Sequence, residues 1–316
     1  RGFDILQACN PPDTYWALAR LWKWRGVRFV FDHHDLNPEL FLSRFGSPTG
    51  LLRKMELTGL RTLERCTFRT ADHVIATNES YKEIAVRRGG LTQEDVTVVR
   101  SGPDTGRMRP VYPTQDLRKG AEHLLVYLGI MGPQDGVENA LFMMDELIHR
   151  RGRRDVRAVL LGFGDRLEHL RRMSTDMGLD HWVEFTGRAD ADTIAAYLSA
   201  ADVGLGPDPK TPLNDVSTMN KTMEYMAYAL PSVAFDLVET RVTAGDCVLL
   251  VPDGDILAFA DAVERLLDEP DLRAEMGVRA RRRVAEKLDW VPQRLAYLRA
   301  IGSVQAGAAL DQAPTL

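Results

Sequence analysis

Pro207-Asp208-Pro209-Lys210-Thr211-Pro212-Leu213-Asn214-Asp215-Val216-Ser217-Thr218-Met219-Asn220-Lys221-Thr222-Met223-Glu224-Tyr225-Met226-Ala227-Tyr228-Ala229-Leu230-Pro231-Ser232-Val233-Ala234-Phe235-Asp236 is the stretch densest in local signals. A polar loop spaced by prolines runs to Asn214. A helix is expected next, with Ser217 or Thr218 as N-cap, because a hydroxyl there can accept an orphan amide. Met219, Met223, Met226, Ala227 and Leu230 recur at helical spacing and form one apolar stripe. Asn220, Lys221, Glu224 and Tyr228 fall on the other side. Leu230-Pro231 ends the helix, and Ser232 to Phe235 has the character of a short buried strand. Lys221 and Glu224 share a face. They are either a surface ion pair or part of a site in which Lys221 meets a phosphate at the helix start and Glu224 accepts hydrogen bonds from a sugar diol.

Strand–helix alternation extends outward from this stretch in both directions. Upstream, strands are expected at 4–8, 27–31, 73–76 and 96–99, with helices at 13–24, 49–70 and 79–87. Residues 101–119 carry prolines and glycines without periodicity. A second series has strands at 124–128, 156–161, 183–185, 203–205, 232–235 and 248–251. Its helices are expected at 137–150, 166–177, 191–200, 256–267, 272–287 and 291–300. Such alternation predicts an α/β chain of parallel sheets covered on both faces, here two Rossmann-like domains. The expected division is a first domain over 1–108, a linker over 109–119 and a second domain over 120–290. A helix at 291–301 should return to the first domain, and 302–316 should be a flexible tail. The loops at 32–39, 129–136, 162–165, 186–188 and 206–217 all follow strands. Ligands in such sheets bind beyond the carboxyl ends of the strands, so one cleft between the domains is expected.

The 316 residues carry a net charge of -5, with 45% hydrophobic and 27% charged residues. That balance is ordinary for a globular protein and gives no electrostatic case for nucleic acid. Three well-separated cysteines, Cys9, Cys66 and Cys247, make neither a disulfide framework nor a metal cluster, so a reducing cytoplasm is expected. No apolar run approaches the roughly 18 residues of a membrane span. The opening Arg1-Gly2-Phe3-Asp4 has no apolar core of a signal peptide, and strand character from Phe3 suggests a start inside a domain.

Several motifs have two readings. Asp32-His33-His34-Asp35-Leu36-Asn37-Pro38-Glu39 could serve metal binding or proton transfer, or its histidines could be structural. Adjacent strand-end residues point opposite ways, so His33 and His34 are poor joint ligands. The loop from Gly129 to Gly136, including Gly132, could cradle a diphosphate through its amides, or be a plain tight turn. Gly162-Phe163-Gly164 lacks the third glycine of a dinucleotide fingerprint, so hydride chemistry is not expected. The segment holding Trp16, Arg20, Trp22, Lys23, Trp24, Arg25 and Arg28 could rest on an anionic membrane, or be a solvated helix edge with its aromatics in the core. The arginine runs at 150–154 and 279–283 read as solvated faces.

The run from Lys221 through Glu224-Tyr225-Met226-Ala227 to Leu230-Pro231 and Val233-Ala234-Phe235-Asp236 resembles the donor-binding signature of family 4 retaining glycosyltransferases of the GT-B fold. The resemblance extends from Phe3 to about Ala300. It implies a metal-independent glycosyl transfer from a nucleotide-diphosphate sugar to a glycan or lipid-linked acceptor, with no cofactor and with retention of configuration. In the family such chemistry often builds cell-surface polysaccharide at the cytoplasmic face of the membrane. By resemblance Glu224 holds the ribose. Lys221 and the segment Asp215, Val216, Ser217 and Thr218 hold the diphosphate. Gly187 and Arg188 flank the base, His34 and Asp35 approach the transferred sugar, and Glu39 touches the acceptor. The family also begins with further strands and a glycine-rich loop, so the first domain is expected to be incomplete here. Three positions depart from the pattern. Ile130 and Asp135 stand where the loop usually carries arginine and lysine, and Val216 stands where a first glutamate is usual. These departures keep a non-catalytic nucleotide-sugar-binding remnant open as an alternative. A GT-B epimerase would need further acid/base residues near His33 and His34.

Overall fold

The computed structural model describes residues 2–113 and 116–311, with side chains through 306. The chain divides into two compact units, one of residues 1–101 and 290–316, the other of residues 102–289. No helix among the described residues is long and apolar enough to cross a membrane.

The first unit runs β1 (Ile5–Cys9), α1 (Trp16–Lys23), β2 (Arg28–His33), α2 (Asn37–Phe45), α3 (Leu51–Thr70), β3 (His73–Ala76), α4 (Glu79–Gly89) and β4 (Val96–Val98). Its strands pair in parallel in the order β1-β2-β3-β4. Asn78 caps α4 by accepting the Tyr81 amide, and Gly90 ends it in the left-handed conformation. The expected loop at 32–39 is shorter than read, because α2 starts at Asn37 with Pro38 in its first turn.

The second unit runs β5 (His123–Ile130), α5 (Glu138–Asp145), β6 (Val156–Phe163), α6 (Leu167–Asp176), β7 (Val183–Gly187), α7 (Ala191–Ala200), β8 (Val203–Gly206), α8 (Asn220–Ala227), β9 (Ser232–Phe235), α9 (Val238–Ala244), β10 (Val248–Val251), α10 (Ile256–Asp268) and α11 (Pro270–Arg283). Its parallel sheet has the order β10-β9-β8-β5-β6-β7. Both faces are covered. Leu125 and Tyr127 of β5 enter one core with α5 and α10, while Leu124 and Val126 enter another with α7 and α8. The strand period of two sends alternate side chains to opposite faces, and here both are apolar. The order reverses between β5 and β8, which makes the carboxyl ends there the expected crevice.

The chain then returns to the first unit. α12 (Trp290–Asp311) packs Ala296, Tyr297, Ile301 and Val304 against Val30 and Ile75, and the Tyr297 hydroxyl donates to Gln7 at 2.7 Å.

Four expectations need correction. Residues 102–108 belong to the second unit, not the first, because Arg281 donates to the carbonyls of Thr105 and Met108 and Asp289 accepts from Thr105. The tail from residue 302 is helical through Asp311, in keeping with its alanine content, and 312–316 lie outside the described residues. The arginine runs are only partly solvated faces: Arg150, Arg154 and Arg282 are exposed, but their neighbours are tethers. Arg151 joins Glu146, Asp261 and Glu264, and Arg283 donates to the carbonyls of Val242 and Thr243. In α1, Trp22 packs on Phe3 with ring centroids 4.8 Å apart, but Trp24 just beyond it is 86% exposed rather than in the core.

Candidate functional site

The second unit holds a cavity of about 400 Å³ at the carboxyl ends of β5, β6 and β7. Leu128, Ile130, Leu161, Phe163 and Tyr228 make its walls apolar, and Glu224 and Arg188 are the charged groups on it. The Arg188 guanidinium lies 4.7 Å from the Phe163 ring centroid, a cation over an aromatic face at the cavity edge. Gly187 ends β7 with a left-handed backbone, which turns Arg188 toward this edge. Burial pushes the Glu224 carboxyl above its ordinary range, and nearby Lys221 pulls it partly back. A half-desolvated carboxylate in an apolar pocket is well suited to accept hydrogen bonds from a diol.

Helix α8 sets Glu224. Met223, Met226, Ala227 and Leu230 are buried in the core, as the apolar stripe requires. Tyr225 is fully buried, and its hydroxyl accepts the Leu128 amide at 2.9 Å and donates to the Leu205 carbonyl at 3.1 Å. The helix is thereby fastened under β5 and β8, at the place where the strand order reverses. The residue at its N-cap position makes no side-chain cap bond. Met219 is the N-cap residue, while the Ser217 hydroxyl donates instead to the Leu213 carbonyl at 2.8 Å. The expected Ser217 or Thr218 cap is therefore corrected, because a short helical turn at Asn214–Val216 draws Ser217 back to its own loop.

Lys221 is not one half of a surface pair with Glu224. It is 8% exposed, its ammonium lies 2.5 Å from the Asp208 carboxylate, and it sits over the Tyr127 ring at 5.1 Å. A spacing rule based on one helix could not see Asp208, which comes from the preceding loop. Asp215 is engaged too. It accepts the Val238 amide at 2.9 Å at the start of α9 and lies 3.4 Å from the Lys210 ammonium. Val216 closes the helical turn beside it.

The loop after β5 is also internally bonded. The Met131 amide goes to the Phe163 carbonyl at 2.9 Å, and the Gly132 amide goes to the Asp135 carboxylate at 2.8 Å. Asn214 ties this loop to the next, donating to the carbonyls of Gln134 and Pro209. Gly136 has φ of 58°, and a Cβ there would lie 2.5 Å from Pro209 and 2.7 Å from the Pro207 carbonyl oxygen, so only glycine fits. The cradle expected over Gly129 to Gly136 is thus a braced turn in which the Met131 and Gly132 amides are taken.

In the first unit, His33 and His34 do point opposite ways. His33 is 0% exposed among Phe31, Phe68 and Tyr81, and neither ring nitrogen has a hydrogen-bond partner. Burial, with Arg88 and His34 adding to it, lowers its pKa to about 3. His34 is exposed and lies 2.9 Å from the Asp32 carboxylate, which raises its pKa. Asp35 is raised by burial, with His34 pulling it back. Buried Asn10 holds this corner, accepting the amides of His34 and Asp35 and donating to the Asp35 carbonyl at 2.6 Å. Glu39, expected at an acceptor, is instead 8% exposed and paired with Arg88 at 2.5 Å. Arg88 also holds buried Glu64, which burial pushes up to about 7 despite that arginine. Asn10 and Arg88 lay beyond the motif because their roles depend on neighbours distant in sequence.

Among the described residues, one group has the spacing of metal ligands, Glu122, His123 and Asp155, whose ligand atoms lie within 4.8 Å of one another. It is at the amino-terminal ends of β5 and β6, away from the cavity, and Asp155 is already held by Arg153 at 2.9 Å.

The model of Glycosyltransferase Family 4 matches residues 1–107, and that of Glycosyl transferases group 1 matches residues 122–269. A D-inositol 3-phosphate glycosyltransferase of Corynebacterium diphtheriae is 27% identical over 84% of this chain and 62% of its own length. An alpha-D-kanosaminyltransferase of Streptomyces kanamyceticus is 31% identical over 50% of this chain and 39% of its own. The chain therefore spans less than two thirds of the length of these curated relatives. Among solved structures, Anabaena Alr3699/HepE in complex with UDP superposes with a TM-score of 0.75 at 18% identity, covering 95% of this chain and 79% of that one. Sucrose-phosphate synthase from Thermosynechococcus elongatus gives 0.74 at 21% identity, covering 97% and 75%. With residues 1–107 and 122–269 matched by the family's models and both sheets parallel, the chain belongs to the family 4, group 1 glycosyltransferases of the GT-B fold.

Proposed function

We propose that this protein transfers a sugar from a nucleotide-diphosphate sugar to a glycan or lipid-linked acceptor, with retained anomeric configuration and no metal. The observation that carries the reading is the Glu224 carboxylate in an apolar cavity at the carboxyl ends of the strands, beside the Arg188–Phe163 pair. Family membership supports it, as do the UDP and UDP-glucose complexes of HepE, a protein of similar fold. In this reading Glu224 takes the ribose hydroxyls, Gly187 and Arg188 border the base, and the α8 start lies by the diphosphate. The anomeric carbon loses its bond to the diphosphate oxygen and gains one to the acceptor oxygen, whose proton passes to the departing diphosphate. The product belongs to cell-surface polysaccharide synthesis at the cytoplasmic face of the membrane.

Isothermal calorimetry with nucleoside diphosphates tests the ribose contact. Glu224→Ala should weaken binding by roughly tenfold or more, the cost of one charge-assisted pair of hydrogen bonds. Unchanged affinity would sink the assignment. The second reading, a non-catalytic binding remnant, draws on the bonded state of Lys221, Asp215 and Gly132. Nucleotide-sugar binding without either transfer or donor hydrolysis would favour it.

A further inference from the structure

Arg281 of α11 donates to three backbone carbonyls. One of its terminal nitrogens reaches Met108 at 2.8 Å and Ala227 at 2.7 Å, and the other reaches Thr105 at 2.7 Å. Ala227 ends α8, three residues past Glu224, and its carbonyl is one of those that a helix C-terminus leaves without an intrahelical partner. A guanidinium suits that position, since the helix end carries partial negative charge. Thr105 and Met108 belong to one tight turn. The Met108 amide bonds to the Asp104 carbonyl at 2.7 Å, and the Asp104 carboxylate takes the amides of Gly106 and Arg107. Asp289 fastens the same turn, accepting from the Thr105 amide at 3.1 Å and from its hydroxyl. Met108 leaves the turn half-buried, packs on the core that holds Tyr228 and Leu230, and lines the cavity of Glu224. A single arginine therefore joins the helix that carries Glu224 to the turn that carries Met108, and both side chains face one cavity.

We propose that Met108 contacts the nucleoside part of the ligand and that Arg281 is the positioning residue that holds it there. The inference rests on the proposed nucleotide-sugar site and deepens it. Met108 brings neither charge nor a hydrogen-bond donor, so it adds nothing to the hold on phosphates. Its thioether is polarizable and packs well against aromatic rings, the character of a nucleobase. Arg281 acts through the carbonyls it grips rather than from the cavity wall. A turn held by both Arg281 and Asp289 has little freedom, so this side of the cavity is shaped before a ligand arrives, and binding does not have to order it.

Calorimetry on the full chain with UMP and UDP, and with the matching adenosine, guanosine and thymidine pairs, provides the test, beside urea unfolding of each variant. Met108→Ala should weaken the preferred nucleotide roughly fivefold through lost apolar contact, and by the same factor for monophosphate and diphosphate. Raising salt from about 0.05 to 0.5 M should leave that factor unchanged, because an apolar contact is not screened. Met108→Leu, of similar volume, should stay within about twofold of the wild type. Arg281→Ala should weaken binding about as much as Met108→Ala, and the two together no further, since the arginine works through the methionine. Arg281→Lys, which keeps the charge but not the planar fork, should fall between. Should Arg281→Ala fail to fold, Arg281→Lys with and without Met108→Ala decides the coupling. A merely structural arginine would lower the urea midpoint and leave the affinity of the folded protein unchanged. That result, losses that add in the double variant, or binding that Met108→Ala leaves intact while Glu224→Ala weakens it, would overturn the inference and leave the nucleotide site standing. Failure of every nucleotide to bind the wild-type protein would overturn the site and the inference together.

Discussion

His33 carries an imidazole with no hydrogen-bond partner on either nitrogen, inside rings whose centroids lie 5.0 to 5.5 Å away. An unfolded histidine titrates near 6.5, and this one near 3 when folded. The native state therefore binds fewer protons than the unfolded state between those values. Its contribution to stability is fully present above pH 6.5 and is lost as pH falls toward 3, at about 1.4 kcal/mol per pH unit. Urea titrations from pH 7 down to 4.5 should show this slope, and His33→Phe should flatten it. Equal slopes in the two proteins would remove His33 from the acid response. At this scale the sequence was only partly legible. The opposite orientation of His33 and His34 followed from strand geometry alone. The burial of Glu39 did not, because Arg88 and Glu64 reach it from α4 and α3.

Helix α8 is held by two buried polar anchors on its underside. Tyr225 bonds to β5 and β8, and Gly204 allows the approach, since a Cβ there would lie 2.6 Å from the ring. Lys221 bonds to Asp208. Removing one partner of such a pair strands the other charge away from water. Lys221→Met should thus lower unfolding free energy by about 3–5 kcal/mol, and Lys221→Met with Asp208→Leu should recover most of it. Equal loss in the single and double variants, measured by urea unfolding, would deny the pairing. The helix itself and its apolar stripe were legible from the spacing of Met223, Met226 and Leu230. The N-cap was not, because Ser217 has an alternative carbonyl partner within its own turn. The fate of Lys221 was hidden for a related reason: helical spacing ranks partners on the helix, whereas Asp208 arrives from the loop after β8.

Alternation of strand and helix made the two parallel sheets legible, while the family was carried by the resemblance of the run from Lys221 to Asp236. The boundary at residues 101 and 102 was harder to read, because Arg281, far along the chain, fixes residues 105 and 108 to the second unit. The first unit is made of two separate pieces of chain, since α12 supplies Tyr297, Ile301 and Val304 to the core beneath β2 and β3. Removing residues 290–316 should raise amide hydrogen exchange in β2 and β3 and leave β5 and β6 protected. Parallel loss of protection in both sheets would contradict that independence. The discontinuity also orders events at the ribosome. Every strand of the first unit emerges early, but the helix that completes its core is translated only after the entire second unit, 188 residues later by the span from 102 to 289. At roughly 5–20 residues per second, the early strands wait for about ten seconds or more with an apolar face uncovered. The second unit, contiguous in sequence, can close its sheet during that interval, so the half made first is the half finished last.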